Sequence, residues 1–143
     1  MSDYPLRVLD LNMIKSMWGE LRPILEASCK VNEVCETEIE VDDILVLAAI
    51  DQCTVVAVIE DEKPVFVLAL QFTLSAGKRG ANVLAMGGTH MLRIKSLYWD
   101  HFLAWLRANK VEFLDAYVPN ERRQLYQRRL GFDKSCSFIR KLL

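Results

Sequence analysis

The sequence predicts a mixed α/β fold, a sheet of about six or seven strands with helices on both faces, and two observations carry that expectation. Three apolar runs, the β-branched Thr54–Ile59 and then Val65–Leu74 and Ala81–Met86, are separated only by short polar or glycine-containing turns, which is the spacing of an antiparallel meander. After Met86 the spacing changes to strand–helix alternation, which is the spacing of a βαβ unit with a right-handed crossover. The near-continuous apolar content of the strands implies that helices cover both sheet faces.

Taken in order, Leu6–Leu9 reads as a first strand, and Asp10 as the N-cap of a helix over Leu11–Trp18. Gly19 interrupts that pattern, and Pro23 suits the first turn of a second helix to about Lys30. Val31–Val41 is polar and acidic and reads as a surface loop or edge segment. Asp42-Asp43 are N-cap candidates for Ile44–Ile50, which favours a helix over a buried strand because Ala48-Ala49 continue it. Glu60–Lys63 and Ser75–Gly80 are the meander's turns, with Pro64 at a strand start, where proline is tolerated. Met91 to about Asn109 has a helical pattern whose inward face is Ile94, Leu97-Tyr98, Phe102 and Trp105-Leu106. Val111–Val118 is the next strand, Pro119-Asn120 breaks it, and a basic helix runs to Arg129-Leu130-Gly131-Phe132. Ser135–Leu142 alternates as a last strand.

The composition limits the function classes. At 143 residues and 52% hydrophobic, residues 1–143 make one domain with a single sizeable core. A net charge of -1 speaks against a generic nucleic-acid binder. No apolar run reaches the roughly 18–20 residues of a membrane span, and the N-terminus has no signal-peptide pattern. Cys29, Cys35, Cys53 and Cys136 form no Cys-x-x-Cys pair, and with His90 and His101 they complete no zinc spacing, so reduced core thiols and no metal are expected. Charge is divided along the chain: residues 33–62 carry only acids, whereas Arg122, Arg123, Arg128, Arg129, Lys134, Arg140 and Lys141 gather at the end. Such a division suits internal pairing of the halves, or two faces offered to partners.

In an α/β sheet, ligands sit beyond the carboxyl ends of the parallel strands, often at a helix N-terminus. That rule points to Gly87–Lys95. Gly87-Gly88 lie early in that stretch and read as a strand bulge or as the turn into an N-cap at Thr89. His101, one position from the inward face, reads as structural, and Asp115 has no role that its position dictates.

The element order, with Asn120 and then Leu125-Tyr126-Gln-Arg-Arg-Leu130-Gly131-Phe132 closing a helix before the last strand, resembles the GNAT superfamily of N-acetyltransferases. The likeness covers nearly the whole chain in layout and Pro119–Phe132 in residues. It implies that Tyr126 would be the general acid that protonates the departing coenzyme A thiolate. A phenol of pKa about 10 matches an alkyl thiol in that role. It also implies that Asn120 would contact the pantetheine arm, although Asn120 precedes Tyr126 by six residues where the family spacing is seven. Gly131 would be a left-handed C-cap, with Phe132 stapling the helix end.

The resemblance departs at the ligand loop. The family carries Arg/Gln-x-x-Gly-x-Gly/Ala there, whose backbone N–H groups cradle a pyrophosphate. Met91, Arg93 and Lys95 occupy the positions of the small residues, so any phosphate attraction, with Thr89 as N-cap, would come from side chains. The expectation is a GNAT-like fold without ordinary acyl-CoA catalysis and with no bound cofactor, serving in protein assembly through a protein partner or as a homo-oligomer. In size and layout the chain also resembles GNAT-like virion-associated proteins of short-tailed phages, which implies a cytoplasmic or virion location. The alternative is an acetyl-CoA-dependent N-acetyltransferase with a divergent loop, acting on an amine.

Overall fold

The computed structural model describes residues 6–29, 39–88, 98–116, 127–128 and 130–133. Among them five strands form one mixed sheet in the order β1-β2-β3-β4-β5, against the six or seven expected. The expected last strand, Ser135–Leu142, lies outside the described residues. β1 (Leu6–Leu9), β2 (Thr54–Glu60), β3 (Lys63–Ser75) and β4 (Lys78–Gly88) pair with one another in succession, each antiparallel to the one before. β5 (Phe113–Ala116) joins β4 in parallel, Gly80↔Phe113 through Val83↔Ala116. The meander followed by a βαβ unit is therefore present as the sequence spacing predicts.

Both meander turns are two-residue loops with positive φ at both positions, Asp61 (51°) and Glu62 (66°), then Ala76 (52°) and Gly77 (78°). These are type I′ values, whose twist matches that of paired strands. The second turn is thus tighter than the expected Ser75–Gly80, and Gly80 is a strand residue. It has no Cβ because the Phe113 ring on β5 occupies that space.

α1 runs unbroken over Leu11–Cys29, where the sequence suggested two helices parted at Gly19. The reason is geometric. Ile14, Leu21 and Leu25 are buried on one stripe, with Met17 and Trp18 packed beside it, while Gly19 and Pro23 fall on the exposed side. Pro23 leaves the Gly19 carbonyl without its helical donor. Water can bond that carbonyl on an exposed face, so the packed stripe decides. Asp10 caps this helix as expected, accepting the Met13 N–H at 2.8 Å.

α2 (Val41–Ala49) is a helix, as preferred from the sequence, but its N-cap is Glu40 rather than Asp42-Asp43. The Asp43 carboxylate reaches back to the Glu40 N–H at 3.0 Å, the return arm of a capping box. Asp42 instead accepts from Arg22 of α1 at 3.0 Å, and Arg22 also pairs with Glu26. The hydrogen bond from Arg22 holds the Asp42 carboxyl below its usual range.

α3 (Asp100–Ala108) continues a π-type turn at Tyr98-Trp99 and is the described part of the helix expected over Met91–Asn109. It ends in a Schellman motif: the Val111 N–H bonds the Leu106 carbonyl and the Lys110 N–H bonds that of Arg107, both at 3.0 Å. Val111 therefore belongs to a helix stop rather than to the strand expected from Val111. Lys110 takes the left-handed position with φ 65°, where glycine avoids a Cβ penalty. Lys110→Gly should raise stability by about 0.5–1 kcal/mol in urea melts. A loss would show that the lysine side chain contributes more than its backbone costs.

The sheet separates two cores. α1 and α2 pack on the face bearing Val55, Ala57, Val67, Ala69 and Ala85. The opposite face bears Val56, Val58, Phe66, Leu68 and Leu70, and packs against Trp99 and against Phe102 and Leu106 of α3, together with Leu130. Helices thus cover both faces, as the apolar strands require.

Candidate functional site

The place to look for a ligand is the carboxyl end of the parallel pair β4–β5, where α3 also approaches. β4 carries a bulge there. The register with β3 steps from Leu70↔Val83 to Ala69↔Ala85, leaving Leu84 as an extra residue immediately past the last described β4–β5 pair. Leu84 and Ala85 both join the α1/α2 core, whereas Val83 and Met86 join the α3 core. A bulge of this kind frees one residue's backbone groups from the ladder and bends the strand, which is how strands re-aim groups beside ligands.

Beyond the bulge, Gly87 and Gly88 are paired strand residues, opposite Val67 and Phe66. They are neither a bulge nor a turn, so the sequence placed the irregularity too late. Gly87 has a packing reason to be glycine: a Cβ there would lie 2.5 Å from the backbone carbonyl of Ile24 in α1. Thr89, His90, Met91, Arg93 and Lys95 lie outside the described residues, as do Asn120 and Tyr126.

One polar contact near this end escaped the sequence reading. Glu60, at the end of β2, accepts the Tyr98 hydroxyl at 2.7 Å, and both residues are half-buried. The distance is that of a well-formed O–H···O bond. The signal was available: Glu60 is two residues beyond Val58 and four beyond Val56, so it shares their face and points toward α3. Trp99, beside Tyr98, is 4% exposed and lies 5.4 Å from Phe102 and 6.0 Å from Phe132, ring centre to ring centre. Its indole N–H and the Asn82 amide oxygen are buried without a hydrogen-bond partner among the described residues. Asn82 is in register with Asp115 on β5, whose side chain is exposed.

The Leu-Gly-Phe stop behaves as its residues suggest. Gln127, Arg128 and Leu130 are helical, Gly131 has φ 76°, and Phe132 is half-buried against the α3 core. His101 is half-buried on α3 beside Phe102. Among the described residues no group of three or more His, Cys, Asp or Glu side chains converges as a metal site would, and no helix is long and apolar enough to cross a membrane.

Burial pushes the Cys53 thiol up to about 12, against a backbone hydrogen bond from Leu70 that lowers it. At pH 8 it is therefore a thiol rather than a nucleophilic thiolate. Iodoacetamide at that pH should leave the Cys53 peptide unmodified in the native protein and alkylate it in urea, as read by mass spectrometry. Rapid native labelling would show that the site opens.

No family model matches the sequence, and no curated protein matches it. Solved structures do. A ribosomal-protein-alanine N-acetyltransferase from Brucella melitensis biovar Abortus is 16% identical at a TM-score of 0.64, over 96% of this chain and 99% of that one. A predicted acetyltransferase from Clostridium acetobutylicum, solved with acetyl-CoA, is 13% identical at 0.63, over 96% and 94%. A GNAT family acetyltransferase from Staphylococcus aureus is 16% identical at 0.59, over 96% and 97%. At these identities the likeness establishes the fold.

Proposed function

We propose that this chain, whose fold is that of the GNAT acetyltransferases, uses it as a structural or protein-interaction component rather than for ordinary acyl-CoA transfer. The observation that carries this reading is the position of Gly87 and Gly88. The two glycines nearest the β4–α3 connection are paired strand residues, and Gly87 is small to admit the Ile24 carbonyl. Counted back from the end of the α3 helix, Met91, Arg93 and Lys95 would align with the family's small residues. A pyrophosphate held by successive N–H groups must approach the first helical turn closely, and long side chains obstruct it. Exposed Arg and Lys charges are screened at physiological salt and do not replace those bonds. The acidic and basic halves of the sequence suit a protein partner, and residence in the cytoplasm or in a phage virion accords with this role.

A second reading, an acetyl-CoA-dependent N-acetyltransferase acting on an amine, is favoured by the bulge at Leu84. It sets free backbone groups beside the parallel pair, where an acyl carbonyl could be bound. Tyr126 would be the general acid in that case, and Asn120 a pantetheine contact. Calorimetry with acetyl-CoA at about 0.15 M salt separates the two. No binding heat is expected. A low-micromolar dissociation constant, abolished by coenzyme A, together with lost turnover in Tyr126→Phe, would establish the enzyme instead.

A further inference from the structure

We propose that the open edge of β3, Gln71–Ser75, pairs with the same edge of a second copy of this chain, antiparallel and centred on Thr73. The inference goes beyond the proposed function and does not depend on whether acyl-CoA binds.

β2 begins at Thr54, opposite Leu70, while β3 continues to Ser75 and β4 returns from Lys78. The β3–β4 hairpin therefore overhangs the meander. On its β4 side the overhang is paired, but among the described residues Gln71–Ser75 has no strand on its other side. Most exposed edges are defended by charge, proline or a bulge. This one has no charged residue from Pro64 to Gly77, and Leu74 at its end is 78% exposed. The α2 chain passes through Ile50, 59% exposed, on its way to Thr54, so a second exposed apolar side chain lies at the same end of the sheet.

The case for a second copy is self-complementarity. Phe72 packs in the α3 core, so Phe72 and Leu74 point to that face and Gln71, Thr73 and Ser75 to the other. Antiparallel pairing about Thr73 sets Phe72 of one copy against Leu74 of the other, twice, and Gln71 against Ser75, twice. Apolar meets apolar on one face and polar meets polar on the other, which a two-fold contact requires. The backbone agrees. Ser75 and Lys78 close the two-residue hairpin, so Ser75, Thr73 and Gln71 direct their N–H and C=O groups to β4, and by the period of two those of Phe72 and Leu74 face outward. Those are the opposed residues, and they can exchange reciprocal hydrogen bonds. The length also fits. In this register Ser75, the last strand residue of one copy, stops opposite Gln71 of the other, one position short of Leu70, where Thr54 opens β2. Lys78 beside the tip then approaches the Ile50-Asp51 turn, which lies within residues 33–62, a stretch that carries no base.

Sedimentation equilibrium of the full chain tests the association, and engineered cysteines test the register. The wild type should shift from 16.4 kDa toward twice that mass over the micromolar range. Leu74→Lys, at an exposed position that costs the monomer little, should remain monomeric with an unchanged melting temperature. Thr73→Cys should give a disulfide-linked dimer on mild oxidation, because the central pair's Cα atoms would be about 4.5 Å apart. Oxidised wild type controls for the native cysteines. Three results overturn the proposal: a wild type that stays monomeric, a dimer that persists in Leu74→Lys, or a dimer in which Thr73→Cys fails to cross-link. None of these bears on the acetyl-CoA titration, so either idea can fail alone.

Discussion

Replacing Phe102 by alanine is expected to cost about 3–5 kcal/mol, a large loss from a single side chain on the α3 side of the sheet. Phe102 is 1% exposed, with its ring centre 5.4 Å from that of Trp99 and 6.0 Å from that of Trp105. Phe72 extends the group from the sheet, 6.2 Å from Trp105. Neighbouring rings are too rigid to collapse into the space, so the transfer loss and most of the cavity cost should both appear. Against a typical domain stability of 5–15 kcal/mol, such a loss leaves a marginal fold. Phe132→Ala should cost less, about 1–3 kcal/mol, because that ring is only half-buried. Urea melts of the two variants are the check. A Phe102→Ala loss below about 1 kcal/mol, or the reverse order, would mean that α3 does not lie on the sheet as described.

What the sequence made legible follows from where each signal sits. The meander strands were readable because Thr54–Glu60 and Lys63–Ser75 are β-branched and apolar between polar turns, and burial on both faces leaves no competing helical period. α1 was misread because Gly19 and Pro23 are local signals, while the Ile14–Leu21–Leu25 stripe that outweighs them depends on which side of the helix they occupy. The bulge at Leu84 was hidden for a related reason. Val83-Leu84-Ala85-Met86 is apolar throughout, so no alternation exists for an extra residue to break. At the candidate site the rule about carboxyl strand ends gave the right neighbourhood but not the contacts. Tyr98 reads as a core residue and Glu60 as part of a turn; the period of two along β2 puts Glu60 on the α3 face, but the π-type turn that brings Tyr98 within 2.7 Å has no mark in the sequence. Asn120 and Tyr126 stand out through the family resemblance alone and carry no physical signal of their own.

Glycine at position 87 was the most ambiguous signal, because a sequence does not distinguish a glycine that admits a phosphate from one that admits a neighbouring backbone. The distinction is measurable. Gly87→Val should cost about 1–3 kcal/mol, because its Cβ would sit 2.5 Å from the Ile24 carbonyl oxygen and 3.2 Å from Ile24 Cγ2. The obstacle is helix backbone, so relief requires α1 to shift off β4, and α1 holds Leu21 and Leu25, each 0% exposed. Gly19→Ala is the matched control. Nothing lies within 4 Å of its Cβ position, and alanine is the better helix former by about 0.5–1 kcal/mol, so this variant should gain stability. Opposite signs in paired urea melts would establish that Gly87 is small for the helix above it. A Gly87→Val protein as stable as wild type would remove the packing reason, return Gly87 to the ligand loop, and weaken the case against acyl-CoA binding.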